Sequence, residues 1–356
     1  MLSAQVPSEF AQWNHYVDGA PTPDTYYRPE YATLYDENGD GRIVALVVAT
    51  SANRFLLPLL LRPVPFSDRD EIDAITPYGY GGVLPLDSRK VDAIDASELV
   101  HKLRSHCHEL GIMSILLRLH PLLRQHEWLQ GTVDDEVALR YHGATAGIDC
   151  LQWDSRIDAP LGLGKGRRSD LNFARRSLTV QRLDGGTVEC ASALEQFRNI
   201  YGQTMERLGA SSFYSFKKEY YSLLSNGLGS KMCLINALSG GAVVGSAMFF
   251  AGGKFAHYHL SGSTKEGRQF KAGTFLVVEG VRWGRERGCA SMHLGGGTHA
   301  DDSLLRFKQS FGGQIYEYHF LTAITDYVRY AALTNARQGN SSLPPPRVDY
   351  FPRYRA

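Results

Sequence analysis

Apolar residues in the first third of the chain fall in unbroken or alternating runs, which is the pattern of β-strands. RIVALVVAT at 42–50 and RFLLPLLLRPV at 54–64 predict two such strands. A helix is predicted near 96–110, and SILLRLH at 114–120 predicts a strand after it. The first part of the chain is therefore expected to hold strands paired around a helix.

A second series of elements repeats this order after about 150 residues. It consists of a basic helix at 167–177, a helix at 193–208, paired strands at 231–238 and 242–263, a helix at 274–287 and the strand ASMHLGG at 290–296. The repeat lies in the order of elements and not in sequence identity. The pattern predicts a mixed α/β (α+β) protein with two similar domains, not one doubly wound sheet.

The predicted domains are 1–150, completed by about 317–345, and 151–316. Glycines and a proline near 154–166 predict a linker between them. The segment 341–356, SSLPPPRVDYFPRYRA, is proline-rich and is expected to be an extended, loosely packed C-terminal tail.

The helix at 273–288, GTFLVVEGVRWGRERG, has a largely apolar face and ends at Gly288, a suitable C′ residue. The turn before it, EGRQFKAGT, brings small residues and cations to the helix N-terminus, which favours an anion. Gln269-x-x-Ala272-x-Thr274 is a degraded match to the pattern with which acetyltransferases of the GNAT superfamily bind the pyrophosphate of coenzyme A. Gln269 and Lys271 are thus candidate donor-binding residues, and an ordinary loop-to-helix junction is the alternative.

Three further motifs carry a more specific resemblance: TMERLGASSFYSF at 204–216, HYHLSGS at 257–263 and SLLRFKQSFGG at 303–313. Together they resemble the second half of Fem-type aminoacyltransferases, over about 197–313. The resemblance implies two GNAT-like acyltransferase domains packed side by side. It also implies amide-bond formation by transfer of an amino acid from aminoacyl-tRNA to an amine, as in the interpeptide bridges of peptidoglycan.

The resemblance identifies Phe307 and Lys308, in the FK-x-x-FG motif, as the catalytic pair. In the family this pair lies where the aminoacyl ester meets the acceptor amine. A fixed cation lowers the barrier to attack by stabilising negative charge on the carbonyl oxygen, which Lys308 can supply. Phe307 can pack on the terminal adenosine or shape a dry site, and Gly295–Gly297, Gly312 and Gly313 let the backbone approach a ligand. An exposed helical lysine is the alternative for Lys308.

A general base is left open by the sequence. His299, Asp301 and Asp302 lie close to the motif, although the two aspartates also suit a cap for a helix that begins at Ser303.

The family places acceptor-binding residues on the helix that matches QTMERLGA and on the segments that follow it. Residue by residue this predicts Thr204, Arg207, Tyr214 and Tyr258 on the acceptor side. The alternative is a capped helix with a surface arginine and core tyrosines.

One departure from the family changes the expected acceptor. Members that bind a nucleotide-linked muropeptide carry a lysine in the first domain, whereas YYRPEYATLYDENG at 26–39 has none, and Arg28 before a proline is commonly a loop cation. A smaller amine, such as a natural-product intermediate, is therefore favoured over a peptidoglycan-type precursor. Tyr78 and Tyr80, in the glycine-rich run TPYGYGG, either line part of the acceptor cleft or are buried rings of a tight turn.

Charge alters the picture only locally, because 38 basic and 37 acidic residues give a net charge of +1. The segment 164–182 nevertheless concentrates cations, as expected for contact with an RNA backbone. The candidates for tRNA binding are Lys165, Arg167, Arg168, Arg175 and Arg176. A solvated amphipathic helix is the alternative.

The five cysteines are scattered, with neither a CxxC pair nor metal-ligand spacing, so we expect free thiols, a reducing compartment and no metal. No apolar run approaches the roughly 18 residues of a membrane span, and no signal-like N-terminus is present. A cytoplasmic protein without a membrane span or a cofactor other than its acyl donor is expected. The sequence leaves the oligomeric state unknown and is compatible with a monomer.

Two other functions stay open. One is an N-acyltransferase of the GNAT superfamily that uses acyl-coenzyme A, to which the 269–274 turn would contribute. The other is a non-catalytic binding protein with the same fold, which the intact Phe307 and Lys308 disfavour.

Overall fold

A computed structural model describes residues 9–65, 67, 70–211, 214–297, 303–339 and 350–356. The chain divides into two compact units. Unit 1 consists of Met1–His142 with Glu317–Ala356, and unit 2 is Gly143–Tyr316. The boundaries between the units therefore lie between residues 142 and 143 and between residues 316 and 317. The boundaries predicted from the sequence lie after residues 150 and 316.

Helices and strands alternate irregularly along the chain, as a mixed α/β fold requires. The helices are α1 (Phe10–Gly19), α2 (Pro29–Glu37), α3 (Ala93–Glu109), α4 (Gln125–Leu129), α5 (Lys165–Ser177), α6 (Val188–Leu208), α7 (Lys218–Leu228), α8 (Lys265–Gln269), α9 (Ala272–Glu286), α10 (Ser303–Gln309) and α11 (Tyr327–Gly339). The strands are β1 (Arg42–Ala49), β2 (Arg54–Pro63), β3 (Ile72–Ile75), β4 (Leu84–Pro85), β5 (Ile112–Arg118), β6 (Val137–Asp149), β7 (Trp153–Asp154), β8 (Ala159–Pro160), β9 (Thr179–Asp184), β10 (Met232–Ser239), β11 (Ala242–Gly252), β12 (Phe255–Ser263), β13 (Ser291–Gly296) and β14 (Gln314–Ile324).

The sheet of unit 1 has the order β1-β2-β3-β5-β14, with β4 paired to β2. Strands β3 and β5 are parallel, and the other pairs are antiparallel. Successive side chains of a strand point to opposite faces of the sheet, and in β2 the side chains on both faces are buried. Leu57 and Leu59 join the core that contains Leu99 and Leu103 of α3, whereas Leu56 joins the core on the opposite face, with residues of α1 and α2.

The last residues of the chain are docked on unit 1. Tyr354 is 1% exposed, and its hydroxyl donates to Oδ2 of the fully buried Asp73 (3.2 Å). Arg355 also donates to Asp73, and Arg62 Nε donates to the other carboxylate oxygen at 2.8 Å. The expectation of a loosely packed tail is therefore wrong for residues 350–356, because this buried carboxylate holds them. Residues 341–349 lie outside the described part of the chain.

The sheet of unit 2 has the order β6-β13-β12-β11-β10-β9, with β12 and β13 parallel. Its largest core cluster lies on one face and includes residues of α5 and α9 together with Phe249 of β11. Helix α6 packs against β12, where the Thr204 hydroxyl accepts a hydrogen bond from the Ser263 backbone N–H at 3.1 Å. Helix α7 packs against α6.

The predicted linker near 154–166 belongs to unit 2. Strands β7 and β8 form a small hairpin there, and Asp154, Ala159 and Leu163 are buried. The linker prediction is wrong because these buried residues tie the segment to unit 2, and Gly162, with a φ of 86°, shapes the turn after β8. The mixed α/β fold class is confirmed.

Gly280 lies in the interior of α9, where a glycine normally weakens a helix. A Cβ atom at this position would lie 2.1 Å from Cε1 of the fully buried Phe249. We expect Gly280→Ala to lower the free energy of unfolding by about 1–2 kcal/mol, because overpacking outweighs the gain in helix propensity. Gly202, exposed in α6 with no atom within 4 Å of its virtual Cβ, is the control. Urea denaturation should show Gly202→Ala unchanged or up to about 1 kcal/mol more stable, and a stabilised Gly280→Ala would contradict the packing argument.

Candidate active site

Two parallel strands of unit 2 are paired over only part of their length. The register joins Phe255–His257 of β12 to Ser291–His293 of β13. Beyond these residues β12 continues to Ser263 and β13 to Gly296, with no further register between them in the described part of the chain. The carboxyl ends of the two strands therefore border an opening in the sheet, which is the usual place for a ligand in sheets with parallel strands.

Helix α9 begins shortly after β12, and its N-terminus is covered by side chains of the protein. Arg167 of α5 donates to the buried Thr274 hydroxyl (2.9 Å) and pairs with Asp170 (2.8 Å). Lys271, whose φ of 62° places it in the left-handed region, has its ammonium 3.9 Å from Asp170. An aspartate therefore already supplies negative charge close to this positive helix end.

Phe307 of α10 lies over the same helix end. A Cβ atom on Gly273 would be 3.7 Å from Phe307 Cζ, and the Arg167 guanidinium lies 5.1 Å from the centre of the Phe307 ring. The ring also meets Phe311 edge to face at 5.0 Å. Phe307 therefore packs against the start of α9, against Arg167 of α5 and against Phe311.

Lys308 is buried, with 7% of its surface exposed, so the alternative of an exposed helical lysine is wrong. Its Nζ donates to the carbonyl oxygen of Gly296 at 2.6 Å. Because Gly296 is the last residue of β13, this hydrogen bond holds the ammonium at the end of that strand, beside the opening. A buried cation is screened less by water than a surface one and acts more strongly on nearby charge.

The predicted acceptor residues are not gathered around Lys308 by any described contact. The Thr204 hydroxyl donates to the Ile200 carbonyl (2.8 Å) as well as accepting from Ser263, so it fastens α6 to β12. Tyr258 donates to the Ser261 hydroxyl and packs on Phe249, and burial raises the pKa of Tyr258.

Arg207 and Tyr214 lie at and just after the end of α6. Arg207 is exposed in the last turn of the helix, and Tyr214 is half-buried. A role in acceptor binding stays a prediction for these two residues and for Thr204 and Tyr258.

Tyr78 and Tyr80 belong to unit 1, where they flank Gly79 in a turn. Tyr80 packs edge to face on Tyr26 (5.6 Å) and on Tyr318 (5.0 Å). A Cβ atom at Gly79 would lie 2.3 Å from the Tyr26 ring, so the close approach of this turn requires glycine. The turn with packed rings is present, and a role in an acceptor cleft stays a prediction.

The basic segment forms α5, and its cations differ in what they contact. Arg175 donates to the carbonyl oxygens of Ile157 (2.7 Å) and Asp158 (2.6 Å), and Arg167 is held at α9. Lys165, Arg168 and Arg176 are exposed, and Arg168 Nε also donates to the Leu163 carbonyl at 2.8 Å. Among the apolar residues of α5, Leu171 and Ala174 are buried, whereas Phe173 is 40% exposed.

Gln269 and Lys271 are exposed, and they flank the start of α9. His299, Asp301 and Asp302 lie outside the described residues.

A histidine that the sequence analysis did not select lies near the opening. His259 is the extra residue of a β-bulge in β12, because Tyr258 pairs with Phe249 and Leu260 with Met248. Its Nε2 lies 2.8 Å from the Tyr220 hydroxyl, and its ring packs on Phe250 at 4.4 Å. Burial, with a smaller contribution from His257, lowers the pKa of His259 to about 3, so the ring is neutral at pH 7.

This lowered pKa predicts a pH effect on stability. The folded protein binds a proton at His259 only near pH 3, whereas the unfolded chain binds it near pH 6.5. Stability should therefore fall as the pH drops below about 6.5, and His259→Gln should reduce that fall. Thermal melting between pH 7 and pH 4 tests this, with exposed His108→Gln as the control. Equal pH dependence in His259→Gln and the wild type would exclude the effect.

The sequence from 165 to 309 matches the family described as Acetyltransferase (GNAT) domain. Among solved structures, FemX is similar with a TM-score of 0.72 and 14% identity, over 93% of this chain and 99% of that chain. L-PGS from Bacillus licheniformis is similar with a TM-score of 0.55 and 12% identity, over 91% and 94% of the two chains. A domain from Agrobacterium fabrum, named as the C-terminal domain of a lysylphosphatidylglycerol synthetase, is similar with a TM-score of 0.54 and 16% identity. This similarity covers 91% of this chain and 96% of that chain.

No curated protein matches the sequence. None of the described helices is long and apolar enough to cross a membrane. The chain is thus similar in sequence to a GNAT acetyltransferase domain from 165 to 309, and similar in fold to FemX over nearly its whole length.

Proposed function

We propose that the protein transfers an amino acid from aminoacyl-tRNA to the amine of a small acceptor and so forms an amide bond. The observation that carries this proposal is the buried Lys308 ammonium, held by the Gly296 carbonyl where β12 and β13 part. Lys308 belongs to the FK-x-x-FG motif, for which the Fem-type resemblance implies this role.

In the proposed reaction the unprotonated acceptor nitrogen attacks the ester carbonyl carbon, and a C–N bond forms. The C–O bond to the terminal ribose then breaks, the ribose hydroxyl leaves, and the proton of the amine passes to the leaving oxygen through solvent. Lys308 stabilises the negative charge that grows on the carbonyl oxygen. No covalent intermediate with the protein is needed, because the ester is already activated.

The covered N-terminus of α9 supports a tRNA donor over coenzyme A. Phe307, Arg167 and Asp170 lie at this helix end, where a pyrophosphate would require open backbone N–H groups. The fold similarity to FemX, and to the Agrobacterium fabrum domain named for a lysylphosphatidylglycerol synthetase, also supports a tRNA donor.

The burial and the contacts of Arg28 in unit 1 favour a small acceptor amine. Arg28 is 7% exposed, pairs with Asp18, and donates to the side chain of Asn14 at 2.9 Å. Because these contacts engage its guanidinium, Arg28 is poorly suited to replace the missing lysine as a ligand of a nucleotide pyrophosphate.

An N-acyltransferase that uses acyl-coenzyme A is the second candidate. The match of 165–309 to an acetyltransferase domain favours it, as does the exposed Lys271 beside the α9 N-terminus.

A donor comparison distinguishes the two candidates. Purified protein is incubated with tRNA charged with radiolabelled amino acids, or with acetyl-coenzyme A, over a panel of small amines. We expect label to appear in an amide product only with charged tRNA and only with active protein. Thiol release and acetylation without transfer from tRNA would reject the proposed function in favour of the second candidate.

The exposed cations of α5 give a prediction of their own. If Lys165, Arg168 and Arg176 contact tRNA phosphates, replacing all three by alanine should weaken donor binding and reduce the slope of log K against log salt by about 2–3. The triple variant should lose at most about 1 kcal/mol of stability, because the three side chains are exposed and, among the described contacts, only Arg168 gives up a hydrogen bond, to the Leu163 carbonyl. Filter binding at several salt concentrations measures the slope.

Two variants complete this test. The exposed pair Arg89 and Lys90 of unit 1, changed to alanine, controls for a general loss of charge. Arg175→Ala should instead lower stability, because its hydrogen bonds to Ile157 and Asp158 are lost. An unchanged salt slope in the triple variant would show that α5 is only a solvated helix.

A further inference from the structure

Two histidines and a glutamate from distant parts of the sequence meet on unit 1. They are His126 of α4 and Glu317 and His319 of β14, and one ligand atom from each lies within 4.8 Å of the others. The distance from Glu317 Oε2 is 3.6 Å to His126 Nε2 and 3.7 Å to His319 Nε2. In a tetrahedral zinc site with bonds of about 2.1 Å, neighbouring ligand atoms are about 3.4 Å apart. We propose that these three residues form a binding site for a zinc ion.

Both histidines are attached to rigid backbone, which favours a preformed site. The neighbour of His126, Gln125, is 1% exposed, and its side chain contacts the backbone of His120 (2.8 Å) and Val83 (3.3 Å) and the Tyr27 hydroxyl (3.1 Å). These hydrogen bonds fix the short helix α4 against the core of unit 1.

Strand β14 is fixed by its pairing with β5, and the His319 carbonyl accepts from the Leu119 N–H at 3.0 Å. Glu317 and His319 are two residues apart on this strand, so their side chains leave the same face. His126 and His319 are respectively 17% and 11% exposed in their side chains, whereas Glu317 is 62% exposed. The cluster therefore combines two largely buried imidazoles with one exposed carboxylate, and a water molecule as fourth ligand would reach it from the exposed side.

The rings of His126 and His319 lie nearly parallel, with centres 4.5 Å apart. Because the Nε2 lone pairs of stacked rings lie in parallel planes, binding of one ion through both Nε2 atoms requires one ring to tilt out of this arrangement.

Two imidazoles with one carboxylate suit zinc and other divalent first-row metals, and they do not suit calcium or magnesium, which prefer oxygen ligands. The spacing of the cysteines predicted no metal, but this site contains none of them. Here the ligands lie on α4 and β14, so only the fold brings them together.

The test uses tag-free, full-length protein freed of metal with a chelator. Co²⁺ is titrated as a spectroscopic substitute for Zn²⁺, and Zn²⁺ binding is measured by calorimetry. We expect one ion per chain, visible absorption bands of a four-coordinate site, micromolar or tighter affinity, and a higher melting temperature with Zn²⁺. Calcium should change none of these.

Three variants make the test specific. His126→Ala, His319→Ala and Glu317→Gln should each weaken Zn²⁺ binding at least 100-fold and abolish the rise in melting temperature. Glu317→Gln is exposed and nearly isosteric, so it tests the site even if a histidine variant fails to fold. His108→Ala, which removes an exposed histidine of α3, should bind as the wild type does. Millimolar binding by the wild type, or equal affinity in Glu317→Gln, would overturn the proposal.

Discussion

Replacement of Lys308 by methionine is expected to lower kcat by about a hundredfold or more, the usual effect of losing one preorganised oxyanion-stabilising group. Methionine keeps much of the apolar stem but removes the ammonium that donates to the Gly296 carbonyl. Single-turnover transfer from saturating aminoacyl-tRNA measures the chemical step. Donor affinity should change less than the rate, because the charge acts mainly on the transition state.

Lys308→Arg is the matched control, since it keeps the charge on a wider, planar group. Partial rescue is expected if the position of the charge matters, and nearly full rescue if Lys308 merely attracts a phosphate. Each variant is melted alongside the wild type, because Lys308 is 7% exposed and its loss also removes a buried contact. Near wild-type turnover in Lys308→Met would contradict the catalytic role.

Asp73→Ala is expected to destabilise unit 1 by about 3 kcal/mol, the effect of removing one partner from a buried ion pair. The Asp73 carboxylate is fully buried and accepts from Arg62 and Arg355, whose side chains are 17% and 18% exposed. Partial hydration of these two guanidinium groups keeps the effect at the lower end of the usual range. Urea denaturation followed by circular dichroism measures the loss.

Asp87→Ala provides the comparison, because Asp87 also pairs with an arginine but at the surface. Its side chain is 32% exposed and that of Arg54 is 52% exposed, so the loss should stay below about 1 kcal/mol. Equal losses in the two variants would show that burial of the Asp73 network does not determine its contribution.

Hydrophobic periodicity predicted many of the elements of both units because it reports local burial. The strands near 42–50 and 54–64 and the helix near 274–287 correspond to β1, β2 and α9. The elements that were not predicted include α7, β6, β9 and β14 and several short helices and strands. Strand β9 is largely exposed, so its side chains carry little of the apolar pattern that marks a buried strand.

In the candidate site, too, the sequence pattern did not predict contacts that depend on the fold. Lys308 was found because its motif is local, but its contact with Gly296 depends on the fold. Charge alone did not separate Arg175, which the structure ties to a neighbouring loop, from the exposed Arg176. The position of His259 depends on a bulge, which shifts the alternation of a strand without a residue type that marks it.

The discontinuity of unit 1 has a consequence for synthesis on the ribosome. Unit 2 is one continuous segment and can fold soon after Tyr316 emerges. The first 142 residues must wait, because β5 lies between β3 and β14 and lacks its second neighbour until residue 324 is made. An open strand edge of this kind readily pairs with other chains. Nascent chains stalled before β14 should therefore depend on chaperones more than the finished protein does.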